Sequence, residues 1–256
     1  MMETPGIHLK APMMTLAETW RAGQGPLAWA LKQTNAALRD QQAAEFAEAA
    51  LTSAGLPTHP DQPKNWDSLL ALFHAVTNVE PFEAVLDAGS ERYSAFLPAL
   101  NQLGYSDLTG INLTFSAPED VGTIVYQHGD ITKTIFADES YAFISCLSVI
   151  EHGVDIQAFL NEAARLLRPN GLLFLSFDYW ESPVETNGRC AYGVPIRIFT
   201  RQCIDDMLQW AEAADLYIEG TPDFNCKDRL VHWQRFDLRY TFANLLFRKG
   251  SCSPRL

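Results

Sequence analysis

Beyond a proline-rich break at residues 57–64, short apolar runs alternate with stretches of helical periodicity, and this alternation limits the fold more than any other feature. Pro57, Pro60 and Pro63 disfavour a regular element in the break itself. A helix is predicted over residues 66–77, where Trp66, Leu69, Leu70, Leu72, Phe73 and Val76 recur at helical spacing. Strand-like runs follow at 84–87, 108–112, 123–126, 142–147 and 172–177, the fourth apolar enough for the centre of a sheet. Between them a helix at 96–103 stops at Gly104. A longer one begins at Asp155, a suitable N-cap, with Ile156, Phe159, Leu160, Ala163, Leu166 and Leu167 on one face; Pro169 and Gly171 end it. Another, capped by Thr200, presents Ile204, Met207, Leu208 and Ala211, and β-like segments at 216–219 and 242–247 close the pattern. Repeated strand–helix–strand units point to an α/β fold with a mainly parallel sheet and right-handed crossovers.

Before the break, residues 26–53 are rich in Ala, Gln and Glu and read as helix ending at Gly55, with Trp20, Trp29, Leu31, Leu38, Phe46 and Leu51 as an apolar stripe. The expected organisation is an N-terminal helical extension at 1–63, a main domain at 64–250 and a short tail at 251–256. The extension packs either on the main domain or on a second copy, which would make a homodimer through these helices.

Composition narrows the partners. A hydrophobic content of 47% and a charged content of 20% suit a globular protein with a sizeable core. With 31 acidic against 19 basic side chains the net charge is −12, and no Lys/Arg cluster offers the basic face that a nucleic acid needs. A small molecule or another protein is the better partner. Cys146, Cys190, Cys203, Cys226 and Cys252 include no C-x-x-C pair, as expected of reduced thiols in a cytoplasmic protein. The first residues lack a cationic stretch followed by an apolar run, and the most apolar run, 172–177, is too short to span a bilayer, so no membrane association is expected.

In open α/β sheets, ligands sit beyond the carboxyl ends of the strands, and each candidate residue falls at such an end. Asp87 closes the first strand and Gly89 follows, where a glycine permits positive φ and close approach of a ligand. The next helix points its N-terminus back, which suits a carboxylate or phosphate; an ordinary strand–helix turn reads the same way. Asn112 ends the second strand, where a side chain can meet a ribose diol. Asp130 and Ile131 follow the third, placed equally well for an adenine amino group or for a turn. Glu151 and His152 follow the fourth. Such a pair serves as general base, substrate clamp or part of a metal site, or else stabilises its own loop.

Taken together, residues 85–89, 129–130, 148–152 (Ser-Val-Ile-Glu-His) and 166–172 (Leu-Leu-Arg-Pro-Asn-Gly-Leu) resemble the class I S-adenosyl-L-methionine (SAM)-dependent methyltransferases. The last two segments, with the run at 96–113, are similar to the small-molecule branch of that family. The resemblance extends from residue 66 to 249. It implies an enzyme with a Rossmann-like, seven-stranded, mainly parallel sheet and flanking helices, its last strand antiparallel and inserted near one edge. It also implies SAM as the cofactor. Asp87 and Gly89 would face the methionine portion, Asn112 the ribose, Asp130 and Ile131 the adenine, with Leu147 and Ser148 lining the floor and Ser90, Glu91 and Leu113 also binding the cofactor. His152 would be the base, oriented by Glu151, and Tyr179, Trp180, Tyr192 and Arg197 would wall a pocket for a small-molecule acceptor methylated on oxygen or nitrogen. Where the family carries loop glycines this chain has Glu91 and Tyr93, and the acid usual at the second strand end is Asn112. Those changes also fit a non-catalytic methyltransferase-like module that binds a protein partner or another ligand. Some relatives place a metal-binding acid at the position of Ser148, so no metal is expected. The G-x-G-x-x-G of nicotinamide enzymes is absent after the first strand.

Overall fold

The structure, a computed structural model, describes residues 18–21 and 25–251. In chain order it contains α1 (Leu27–Gln33), α2 (Gln41–Ser53), α3 (Asn65–Asn78), β1 (Val85–Ala88), α4 (Phe96–Gln102), β2 (Leu108–Asn112), β3 (Glu119–Val121) and β4 (Ile124–His128). There follow β5 (Tyr141–Leu147), α5 (Ile156–Leu166), β6 (Leu167–Tyr179), β7 (Cys190–Ala191), β8 (Val194–Pro195), α6 (Arg201–Ala213), β9 (Leu216–Ile218), β10 (Val231–Trp233) and β11 (Leu238–Lys249).

The expected alternation gives one sheet in the order β10-β11-β6-β5-β1-β2-β4-β3, with β9 also paired to β11. Seven of these strands make the anticipated core. β4, β2, β1, β5 and β6 are parallel, while β11 is antiparallel and lies between β6 and β9. The hairpin strand β3 and the short β10 extend the two edges. β1 is buried along its whole length and β5 over its first six residues, which is why their sequences show continuous apolar runs rather than alternation. Trp66, Phe96, Phe143, Phe174 and Phe242 fill one face under α3 and α4; Phe159, Phe177, Ile204, Met207 and Phe247 fill the other under α5 and α6. Asp155 and Thr200 cap α5 and α6 as anticipated, accepting from the N–H of Ala158 and Cys203.

The extension differs from the single helix expected at 26–53. α1 stops at Gln33 because Asn35 takes a left-handed φ of +54°. Residues 35–38 then cross the stretch of β11 left open between β9 and β10. There Leu38 N–H donates to Phe242 O (2.8 Å) and Asn244 N–H to Ala36 O (3.1 Å). Two asparagines lock the crossing. Asn35 N–H donates to Asn244 Oδ1 (2.9 Å), Asn244 Nδ2 to Gln33 O (2.7 Å), and Leu246 N–H to Asn35 Oδ1 (2.7 Å). Exposed sheet-edge groups are thus paired rather than left to water. α2 restarts where Asp40 accepts from Ala43 N–H, and Gly55 ends the turn after it with φ +67°. Trp20, Leu38 and Leu51 are buried as the apolar stripe implied and Trp29 is half-buried, but Leu31 and Phe46 stay exposed. Among the described residues no helix is long and apolar enough to cross a membrane, and the described cysteines are free thiols; Cys252 lies outside the described residues.

Candidate active site

Parallel strands that end on one side of the sheet leave a cleft there. It has a volume of about 330 Å³ and is bounded by the loop after β1, the end of β5 and the connector before α3. A second cavity of about 390 Å³ adjoins it and is lined by Leu113, Gly129, Asp130, Ile131 and Thr132. Gly89, Asn112, Val149 and His152 border both, so the two form one elongated site.

Asp87, next to last in β1, lies opposite Ser145 of β5, whose hydroxyl donates to its carboxylate (2.7 Å). Burial raises the Asp87 pKa to about 6 against that hydrogen bond. Gly89 has φ +87°, and a Cβ there would run into the side chain of Val149. Its N–H and that of Ser90 donate to Ile111 O (2.8 and 2.9 Å), pinning the loop to β2. Asn112 finishes the clamp: its amide donates to Ser90 O (3.0 Å), Gly89 O (3.4 Å) and Glu91 Oε1 (3.3 Å), and its carbonyl oxygen accepts from Thr114. The side chain assigned from sequence to a ribose is therefore engaged with its own loop. Arg92 leaves the cleft, pairing with Glu119 and lying over Phe115 and Tyr126. Tyr93 turns outward to the mouth against His59.

Behind the cleft lies an acidic group that the sequence did not announce. Asp67, in the first turn of α3, accepts from Ser176 Oγ (2.5 Å), and burial raises its pKa. Glu151 is buried, with Oε2 lacking any hydrogen-bond partner; burial and then the charge of Asp178 push its pKa well up. Asp178 lies beside Glu151 and the hydroxyl of Tyr240, and burial lifts its pKa to about 7 while Lys64 draws it down. Lys64 lines the cleft with its ammonium 5.0 Å above the ring of Phe242. Among the described residues no group of three or more His, Cys, Asp or Glu side chains is placed to hold a metal ion.

The expected site residues separate into two sets. Asp87, Gly89, Ser90, Glu91, Asn112, Leu147, Ser148, His152 and Tyr192 line the main cleft, while Leu113, Asp130 and Ile131 line the adjoining cavity. Ser148, held at φ +54°, has a buried hydroxyl with no partner in the protein. Glu151 points inward to Asp178 rather than orienting His152, whose ring stacks edge-on with Tyr192 at 5.1 Å. Burial, then the charge of Lys64, lowers the His152 pKa, leaving the imidazole neutral near pH 7. Tyr179 sits in the core beside Phe224, because strand alternation turns it to the face opposite Asp178. Trp180 is covered by Arg229 (4.4 Å), and Arg197 lies over Phe199 (4.5 Å); neither lines the cleft. His59, Lys64, Asp67 and Tyr93 were missed. The usable signal was Asp67, a lone acid on the apolar side of a helix whose residues from Asn65 to Val76 are all buried.

The two adjoining cavities leave room for an elongated ligand at the strand ends. Residues 65–175 match the family described as Methyltransferase domain. No curated protein matches the chain in sequence. Among solved structures, an S-adenosylmethionine dependent methyltransferase from Mesorhizobium loti is 18% identical with a TM-score of 0.52, over 73% of this chain and 98% of that one. Phosphoethanolamine N-methyltransferase 2 from Haemonchus contortus, in complex with SAM, is 12% identical with a TM-score of 0.50, over 73% of this chain and 53% of that one. The cyclase SpnF is 12% identical with a TM-score of 0.56, over 94% of each chain. The methyltransferase-domain match at residues 65–175, carried on a sheet whose fold is shared with SAM-dependent methyltransferases of known structure, supports methyl transfer with SAM as the cofactor.

Proposed function

We propose that this chain methylates an oxygen or nitrogen of a small-molecule acceptor held over His152. The observation that carries the proposal is the continuity of the two cavities through Gly89, Asn112, Val149 and His152, which leaves His152 at their junction. Asp130 and Ile131 would hold the adenine end, Leu113 the ribose, and Asp87 with Gly89 to Glu91 the methionine end. When bound, SAM supplies a methyl group already activated by its sulfonium, so the protein's task is alignment and disposal of a proton. The neutral imidazole of His152 takes that proton from the acceptor. A cleft of about 330 Å³ suits a small acceptor better than a polymer, and the charge of −12 disfavours a polyanion.

The changes at Glu91 and Tyr93 that favour a non-catalytic module lose force here, since Glu91 folds toward Asn112 and Tyr93 turns outward. The neighbouring cyclase means that the fold alone does not fix the reaction, so binding and turnover decide it. Calorimetric titration is expected to show binding of SAM and of S-adenosylhomocysteine (SAH); no binding of either at millimolar concentration removes the proposal. With an acceptor found by following SAH release across a panel of phenols and amines, His152→Ala is expected to cut turnover by roughly 100-fold or more at nearly unchanged SAM affinity. An unchanged rate takes His152 out of the mechanism.

A further inference from the structure

Two tyrosines stand at the mouth of the cleft with little share in holding the fold together. Tyr93 is 60% and Tyr192 80% exposed, yet both line the cleft. Each meets a histidine edge-on, Tyr93 with His59 at 5.4 Å and Tyr192 with His152 at 5.1 Å. Both phenols thus stand on the rim of one cleft.

Tyr192 is conformationally expensive. With Gly193 it forms the two-residue turn between β7 and β8, at φ +53° and +83°. A turn with both central residues left-handed favours Asn, Asp or Gly at its first position. A tyrosine there is strained, and its exposed ring returns little burial. Strain kept at a cleft without a structural return points to a ligand.

The charge nearby selects among ligands. Lys64 lines the same cleft and lowers the pKa of both His59 and His152, second only to burial. Asp67, Glu151 and Asp178 beneath it are pushed by burial toward their neutral forms, which weakens their hold on its charge. A cationic acceptor is disfavoured at this level, whereas a hydroxyl that becomes negative as it reacts is stabilised.

We infer that the acceptor is a phenol-type molecule, its flat ring clasped between Tyr93 and Tyr192 and its reacting oxygen set between Lys64 and His152. The inference rests on the small-molecule methyl transfer proposed above. The oxygen–carbon bond forms as the methyl–sulfur bond breaks, its electron pair stays on sulfur to give SAH, and the phenol proton passes to His152 and then to water.

The test titrates the SAH-loaded protein with catechol, and with choline as a cationic comparator. Catechol is expected to bind and choline not. Tyr192→Asn suits the turn better than tyrosine, so it is expected to raise Tm and yet weaken catechol binding by about tenfold. Tyr93→Ala should weaken it similarly, and Tyr192→Phe should restore it. A ring serving only the fold would lower Tm on removal and leave catechol affinity alone. Unchanged affinity in both Tyr192→Asn and Tyr93→Ala, or choline binding in place of catechol, overturns the inference. SAH binding without catechol binding removes the clasp alone. Failure of the wild type to bind SAH removes the methyltransferase reading and the clasp with it.

Discussion

Gly89→Ala probes the one loop position where the backbone itself demands glycine. Two costs are expected. An L-residue at φ +87° carries about 1–2 kcal/mol of left-handed strain. The new Cβ would also sit 2.6 Å from Val149 Cγ1 and nearer still to Cγ2, an overpacking worth about 1–3 kcal/mol. Together they lower the unfolding free energy by about 3 kcal/mol, which urea denaturation reads as a fall in midpoint of about 1–2 M at ordinary slopes. The two parts can be separated by repeating the substitution in a Val149→Ala background, where the clash disappears and the strain stays. Gly89→Ala should then cost only about 1–2 kcal/mol, and the difference is the coupling energy of the pair. An equal cost in both backgrounds, or a cost under about 1 kcal/mol in the wild type, refutes the assignment of this glycine to Val149. Since Val149 borders both cavities, the single variant should also weaken SAM binding, and the double variant should recover part of it.

Two further predictions concern stability. Asp87 has a pKa raised from 3.8 to about 6, so the native state holds its proton more tightly than the unfolded chain. Its stabilising contribution is complete below the unfolded value, is lost as pH rises through about 6, and leaves a penalty of up to about 3 kcal/mol above that. Asp87→Asn should therefore gain stability over the wild type at pH 8 relative to pH 4; a difference that does not change with pH contradicts this. Asn244→Leu strips partners from Asn35 N–H and Gln33 O, and should cost about 2–5 kcal/mol in urea unfolding while speeding amide exchange at Leu38. Full protection at Leu38 would show that the crossing at residues 35–38 does not depend on this amide.

The elements that periodicity could reveal were revealed. α3, α5, α6 and the buried parallel strands each bury a face whose spacing is written in the chain, and Asp155 and Thr200 mark two starts by their own hydrogen bonds. What stayed hidden was set by distant partners. Nothing local tells that Asn35 will leave the helix, because its left-handed turn is held by Asn244 from more than 200 residues away. The same holds for the site. The strand-end rule found Asp87, Asn112, Asp130 and His152, since topology alone carries them to one edge. It could not find Lys64 and Asp67, which arrive from the connector before α3 and from the first turn of α3, both ahead of the first strand. Nor could it orient Glu151, because neighbouring residues in a turn point apart and the choice falls to Asp178 and Tyr240.

The loop at residues 89–94 departs from the methyltransferase pattern it resembles without closing the cleft, and the two departures answer each other. A side chain blocks a ligand that hugs the backbone only when its Cβ faces that ligand. Among residues 89–94 positive φ occurs at Gly89 alone, so no further glycine is required by conformation. Glu91 turns toward Asn112, and Asn112 holds the carbonyls of Gly89 and Ser90 as well. An acid at 112 could donate to none of these oxygens and would set a second negative charge against Glu91. The amide in place of the usual acid and the glutamate in place of a glycine are therefore one linked change. A loop elsewhere shaped by glycines is shaped here by an amide donor, and Tyr93 is left free to face the acceptor.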